Sequence, residues 1–218
     1  MTATIESTGS VSRVKPVVDE LGPRFTRLSD DIWATPELRW EEHRSMARQI
    51  EAAEEYGGKI TKCAGGVPTA FMAEWGSGSP VIGFLGEYDA LVGLNQKAGS
   101  IVQEPDPDNP TGNGHGCGHN LLGSGSLLAA VSTAQYLAEN GLPGMVRFFG
   151  CPAEEGAAGK TFMVAGGAMD GIDAAITWHP WDGVTTGQWL TLAYTQAYFR
   201  FKGVAAHAGG QPHLGRIL

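Results

Sequence analysis

Five of the six histidines lie between residues 115 and 213, and each stands beside Gly, Pro or a strand end, outside any apolar helical stripe. Four clusters in the chain, two of them holding histidines, carry residue types suited to metal chemistry. In Gly114-His115-Gly116-Cys117-Gly118-His119-Asn120, an extended backbone would point residues two apart to one side. Cys117 and His119 would then offer a thiolate and an imidazole to one site, with small neighbours that let the backbone approach an ion. That donor pair favours zinc or another late divalent metal over magnesium or calcium. Taken alone, the segment also reads as a glycine-rich turn with a buried cysteine.

The second cluster, Pro152-Ala153-Glu154-Glu155-Gly156, follows a predicted strand, where open α/β sheets place their sites. Adjacent carboxylates do not easily share one direction, which suggests that one binds metal while the other handles protons. A solvated acidic loop is the plainer alternative. The third, Trp178-His179-Pro180, again ends a predicted strand. The fourth, Glu87-Tyr88-Asp89, follows another, and Asp89 there is placed to orient a ligand from behind. Competing motifs fail. Gly159-Lys160-Thr161 imitates the end of a P-loop, but the first glycine of that motif falls on Glu154. Neither H-E-x-x-H, G-x-S-x-G nor the zinc-deaminase pattern occurs.

The elements that must position these clusters alternate between helix and strand. Val17, Leu21, Phe25, Leu28 and Ile32 recur at helical spacing, and residues 41–56 form a second, mostly polar helix carrying Met46, Ile50 and Ala53. Both read as surface helices. Strands are expected over 69–75 and 81–85, with a long polar loop over 95–114. An apolar helix over 121–140 follows the Gly and His cluster directly and stops at Asn140-Gly141. A buried strand over 145–151, a short helix over 161–169 and a strand over 173–178 complete the pattern. Residues 198–204 alternate aromatic with basic side chains, as a half-exposed strand of a different, antiparallel sheet would.

Composition narrows the partners. A net charge of -8, a pI near 5.2 and only 15 scattered Lys and Arg argue against nucleic acid and for a small molecule. The polar opening, residues 1–16, does not read as a signal peptide, and no run approaches the roughly 18 apolar residues of a membrane span. Cys63, Cys117 and Cys151 cannot all pair and show no CxxC spacing. The cytoplasm is the expected compartment.

In order along the chain, Glu87-Tyr-Asp-Ala-Leu91, the 114–120 cluster, Pro152-Ala-Glu-Glu-Gly156, Trp178-His-Pro180 and Ala206-His-Ala208 resemble the M20 metallopeptidases and amidohydrolases. The Cys-Gly-His replaces the family's usual bridging aspartate and marks its cysteine-ligand branch. The following Asn and the preceding long loop are most similar to the aminobenzoyl-glutamate utilisation type. The resemblance implies an α/β, zinc-exopeptidase-like catalytic domain over 1–190, with a mixed sheet flanked by helices. Residues 191–218 would begin an inserted α+β dimerisation domain. It further implies two divalent metal ions, zinc or manganese, with Cys117, His119, Glu155 and His179 as ligands and Glu154 as general base. His207 would match a histidine that reaches the partner subunit's site in a homodimer and stabilises the oxyanion. The family's His-x-Asp motif is replaced by Glu87-x-Asp89, so Glu87 is not assigned as a ligand.

Family members return after the inserted domain and contribute one more metal-binding His. The resemblance therefore reads the chain ending at Leu218 as incomplete: a shortened polypeptide, a fragment whose C-terminal half is a separate chain, or a frameshifted product. The expected reaction is metal-assisted hydrolysis of a small amide, giving a carboxylic acid and an amine or amino acid. Two alternatives stay open at this point: hydrolytic deamination of an aromatic amine on the same scaffold, and a catalytically silent metal-binding or assembly fragment.

Overall fold

Leu21, Phe25, Leu28 and Ile32 fall on one stripe of α1 (Thr8–Trp33) and are all buried, because steps of four and three residues return to the same helical face. In the computed structural model, which describes residues 8–186, 193, 195, 197, 199, 202–204, 206–207 and 210–217, that stripe packs on α3 (His119–Glu139). α2 (His43–Glu55) is shorter than the expected 41–56 and less of a surface helix than its polarity suggests. Ser45 and Gln49 are buried in it together with Ile50, Ala52 and Ala53.

One five-stranded mixed sheet carries the core in the order β1 (Lys59–Lys62), β2 (Phe71–Ser77), β4 (Gly144–Cys151), β3 (Val81–Glu87), β5 (Ala174–Ile176). β1 and β2 run antiparallel to their neighbours, whereas β3 is parallel to both β4 and β5. β4 lies between two strands and reads as a nearly continuous apolar run, with Val146, Phe148, Phe149 and Cys151 fully buried. β2 instead alternates, burying Phe71, Ala73 and Trp75. Against the sequence reading, β3 runs on through Glu87, so Glu87 belongs to the strand itself. β1 is an addition to the expected elements: Lys-Ile-Thr-Lys at a sheet edge, mostly exposed, shows no apolar run.

α3 is apolar enough over its length, with mean hydropathy 1.2 in an 18-residue window, to match a membrane span by composition. Ser and Gly interrupt it, so no unbroken apolar run marks it in the sequence. Here it packs between α1 and the sheet, with Leu122, Leu127, Ala130 and Val131 buried. The loop over 95–114 carries no helix or strand and is closed by its own polar groups, Asn95 bonding to Asp106 and Asn109. α4 (Gly159–Ala165) begins two residues before the expected helix and ends four residues short of it.

The chain divides into two units, one ending at Gly183 and the next beginning at Val184, where the family resemblance puts the boundary at residue 190. In the second unit β6 (Gly203–Val204) pairs antiparallel with β7 (Arg216–Ile217). Tyr198, Arg200 and Phe201 of the expected strand lie outside the described residues.

Candidate metal centre

The Gly and His cluster is a turn into a helix and not the extended segment its alternation suggested. Gly118 adopts φ 74 at the N-cap of α3, its N–H donates to the His115 carbonyl at 3.0 Å, and His119 is the first helical residue. A positive φ comes at no steric cost to Gly. The turn brings Cys117 to His119, and both meet His179: one donor atom from each lies within 4.8 Å of the others.

His179 reaches them because glycines clear its path. A Cβ on Gly125 would lie 2.9 Å from the Trp178 ring, and one on Gly118 would lie 3.0 Å from Pro180. β5 stops at Ile176, short of the expected 178, and the irregular segment at 178–180 that follows it rests directly on the N-terminal part of α3. The His179 Nδ1–H donates to the Pro180 carbonyl at 2.9 Å, and Nε2 faces the Cys117 sulfur at 3.4 Å. His119 is fully buried, and its Nδ1–H donates to Asp89 Oδ1 at 2.8 Å. In both rings Nδ1 is engaged, which leaves Nε2 as the atom for a ligand role; on His119 that role requires loss of the Nε2 proton. Asp89 does more than orient His119, since its Oδ2 also accepts the Glu155 N–H at 2.8 Å. It thereby ties the start of α3 to the carboxylate pair beyond β4.

The carboxylates close around His119. Its Nε2 stands 3.0 Å from Glu87 Oε2, 3.9 Å from Glu154 Oε2 and 4.0 Å from Glu155 Oε1. Glu87, His119 and Glu154 form a second group within 4.8 Å. Glu87, set aside as a ligand by the sequence reading, thus stands among the donors, with its other oxygen paired to Lys160. His119 Nε2 and Glu87 Oε2 face each other as a close ion pair, and Glu155 Oε1 is buried without a hydrogen-bond partner among the described residues.

The electrostatics follow from four carboxylates crowding one thiol and one imidazole. Burial opposes charge on His119, but Asp89 and Glu87 outweigh it and hold its pKa up at about 10. Burial would also raise Glu87, yet the His119 imidazole and the Lys160 ammonium lower it to about 2. Cys117 is pushed up to about 12 by burial and by Glu155, Glu154 and Glu87, so without a cation it is a thiol. Burial, then Glu87 and Glu155, raise the pKa of the partly exposed Glu154. Two imidazole Nε2 atoms, a thiol, the Glu87 carboxylate, a buried Glu155 oxygen without a partner and excess negative charge are the donor set of a late divalent cation. The residues present fit such an ion.

Two participants carried no local signal, and one histidine of the cluster has a different role. Lys160 binds Glu87 from 73 positions away, and buried Glu42 accepts the Ala153 N–H across 111. His115, inside the cluster, packs on Trp33 with its Nε2 directed at the Ile32 carbonyl, and burial lowers its pKa to about 4. His207 lies in the second unit, where its Nδ1 accepts the Gly210 N–H at 2.9 Å.

Comparison with known proteins places this geometry. Residues 83–194 match the model of peptidase family M20/M25/M40. The chain is 50% identical to one of the subunits of p-aminobenzoyl-glutamate hydrolase from Escherichia coli (strain K12), covering 88% of this chain and 40% of that protein. It is 30% identical to indole-3-acetyl-aspartic acid hydrolase of Enterobacter agglomerans, covering 95% of this chain and 50% of the other. The chain thus spans half or less of the length of these relatives. Among solved structures, the Bacillus subtilis YXEP protein, a dinuclear metal-binding peptidase from the M20 family, superposes with TM-score 0.58 at 26% identity over 72% of this chain and 42% of that one.

Proposed function

Because the chain belongs to peptidase family M20/M25/M40, we propose that it forms the metal-binding core of an amide hydrolase that releases an amino acid from an aromatic acyl group. The observation that carries this reading is the pair of imidazoles, His119 and His179, each with Nδ1 engaged, the Nε2 of His179 facing Cys117 and that of His119 facing the Glu87, Glu154 and Glu155 carboxylates. The substrate class is supported by the relatives named above, since p-aminobenzoyl-glutamate and indole-3-acetyl-aspartic acid both join an aromatic acyl group to an acidic amino acid.

Cys117, His119, Glu155 and His179 would hold two divalent ions, zinc or manganese, while Asp89 fixes His119 and the Glu155 backbone. The ions supply Lewis acidity, which brings the pKa of a bound water toward ~7. Glu154 is the general base. Its raised pKa and its place beside His119 suit it to take the proton of the attacking water and pass it to the leaving nitrogen. In His207 the Nδ1 bond to Gly210 leaves Nε2–H as a donor for the carbonyl oxygen. By the family resemblance His207 serves the partner subunit's site in a cytoplasmic homodimer. Similarity to a protein that is itself one component of a multi-chain hydrolase supports a further chain as partner.

The test is metal analysis of the purified protein followed by turnover on p-aminobenzoyl-glutamate and indole-3-acetyl-aspartate, with and without a C-terminal half supplied as a separate chain. Release of the free amino acid is expected. Ammonia released from an aryl amine would replace this reading by deamination. Bound metal with no turnover in either arm would make the protein a binding or assembly component.

A further inference from the structure

Glu42 is fully buried directly before α2, at the N-cap position, yet its side chain makes no cap bond to its own helix. Glu37 does that work, accepting the N–H groups of Arg44 and Ser45 at 3.0 and 2.8 Å. The Glu42 carboxylate instead accepts the N–H of Ala153 at 2.8 Å. Ala153 is itself buried and takes φ 55, a left-handed conformation that costs energy for any residue with a Cβ. It immediately precedes Glu154 and Glu155.

The turn at Ala153 is gripped from several sides. Its carbonyl accepts the Gly159 N–H at 2.9 Å, and Gly159 sits so close that a Cβ there would be 1.9 Å from the Pro152 carbonyl. The Glu155 N–H is taken by Asp89. The segment that carries Glu42 is also fastened beside Asp89, for the Ala90 N–H donates to the Glu37 carbonyl at 2.8 Å and Leu38 bridges to Ala90. Glu42 and Asp89, two buried carboxylates on linked segments, therefore hold alternate backbone amides of the turn that presents the carboxylate pair.

We propose that Glu42 is a positioning residue: by holding the Ala153 N–H it keeps the left-handed turn that aims Glu154 and Glu155 at the His119 site. The inference rests on the metal-centre reading for its consequence, but the contact itself can be tested without metal. Glu42→Gln keeps an acceptor oxygen, Glu42→Met removes it at similar length, and Glu42→Asp keeps the buried acid one methylene short. Zinc affinity, measured by chelator competition on protein whose fold is checked by circular dichroism, should fall about 10- to 100-fold in Glu42→Met, as for loss of a group behind a ligand. It should fall less in Glu42→Asp and stay at the wild-type value in Glu42→Gln. Amide hydrogen exchange in the metal-free protein should show residues 153–159 losing protection in Glu42→Met and Glu42→Asp alone. Should the Met variant not fold, the Asp variant decides by the same two readouts. Wild-type affinity and protection in a folded Met or Asp variant, or a Gln variant as impaired as Met, would overturn the proposal. Absent zinc binding in the wild type together with the expected exchange pattern would sink the metal reading and leave the Glu42 contact standing.

Discussion

Metal uptake by this site should release about two protons at pH 7. The number follows from the two groups whose protonation the carboxylates control. In the metal-free protein the Cys117 thiol titrates at about 12 and His119 at about 10, so both carry their protons at neutral pH. A cation takes thiolate sulfur and the deprotonated Nε2 of His119, so each proton must leave first. Both pKa values lie above the working pH, which sets the sign: apparent affinity rises with pH, by about two decades per pH unit up to about pH 9. Titration calorimetry of zinc in buffers of different ionisation enthalpy counts the protons directly. Cys117→Ser should lower the count to about one, because a serine hydroxyl keeps its proton on binding. A count near zero in the wild type, or affinity flat with pH, would show that Cys117 and His119 are not both ligands.

Glu154→Gln should keep its metal and lose about 10²–10⁴ in rate, whereas Glu155→Gln should lose metal; metal content and kcat measured side by side detect the reverse assignment. Mixing His207→Ala with Glu154→Gln under subunit exchange should recover activity from the one site per mixed dimer that keeps both residues. No recovery after proven exchange would mean that His207 acts in its own protomer or not at all. Burial raises Glu42 from 4.5 to about 6, so its contribution to stability is complete below pH 4.5 and lost as pH rises through 6. That loss is about 2 kcal/mol, and Glu42→Gln should therefore raise the melting temperature at pH 8 but not at pH 4. An equal gain at both would place the effect outside this ionisation.

What the sequence made legible was whatever repeats locally. The stripe from Val17 to Ile32 and the apolar runs of β3 and β4 announce their elements because one face, or both, must be buried. β1 gave no such sign, since an exposed edge strand needs no apolar pattern. The donor types at Cys117, His119, Glu154, Glu155 and His179 could be read, but their geometry could not. Alternation suggested an extended backbone, and a single left-handed glycine, Gly118, makes it a turn. Nothing in the sequence singles out Glu42, and Lys160 draws notice only as part of a rejected P-loop imitation. Their roles come from partners 111 and 73 residues away, a relation no local spacing encodes.

Cys117, His119 and His179 should coordinate bound metal through sulfur and Nε2. X-ray absorption at the zinc edge of the loaded protein tests it most directly. A sulfur neighbour near ~2.3 Å with nitrogen neighbours near ~2.0–2.1 Å is expected, together with loss of the sulfur shell in Cys117→Ser. A first shell of nitrogen and oxygen alone in the wild type would contradict it.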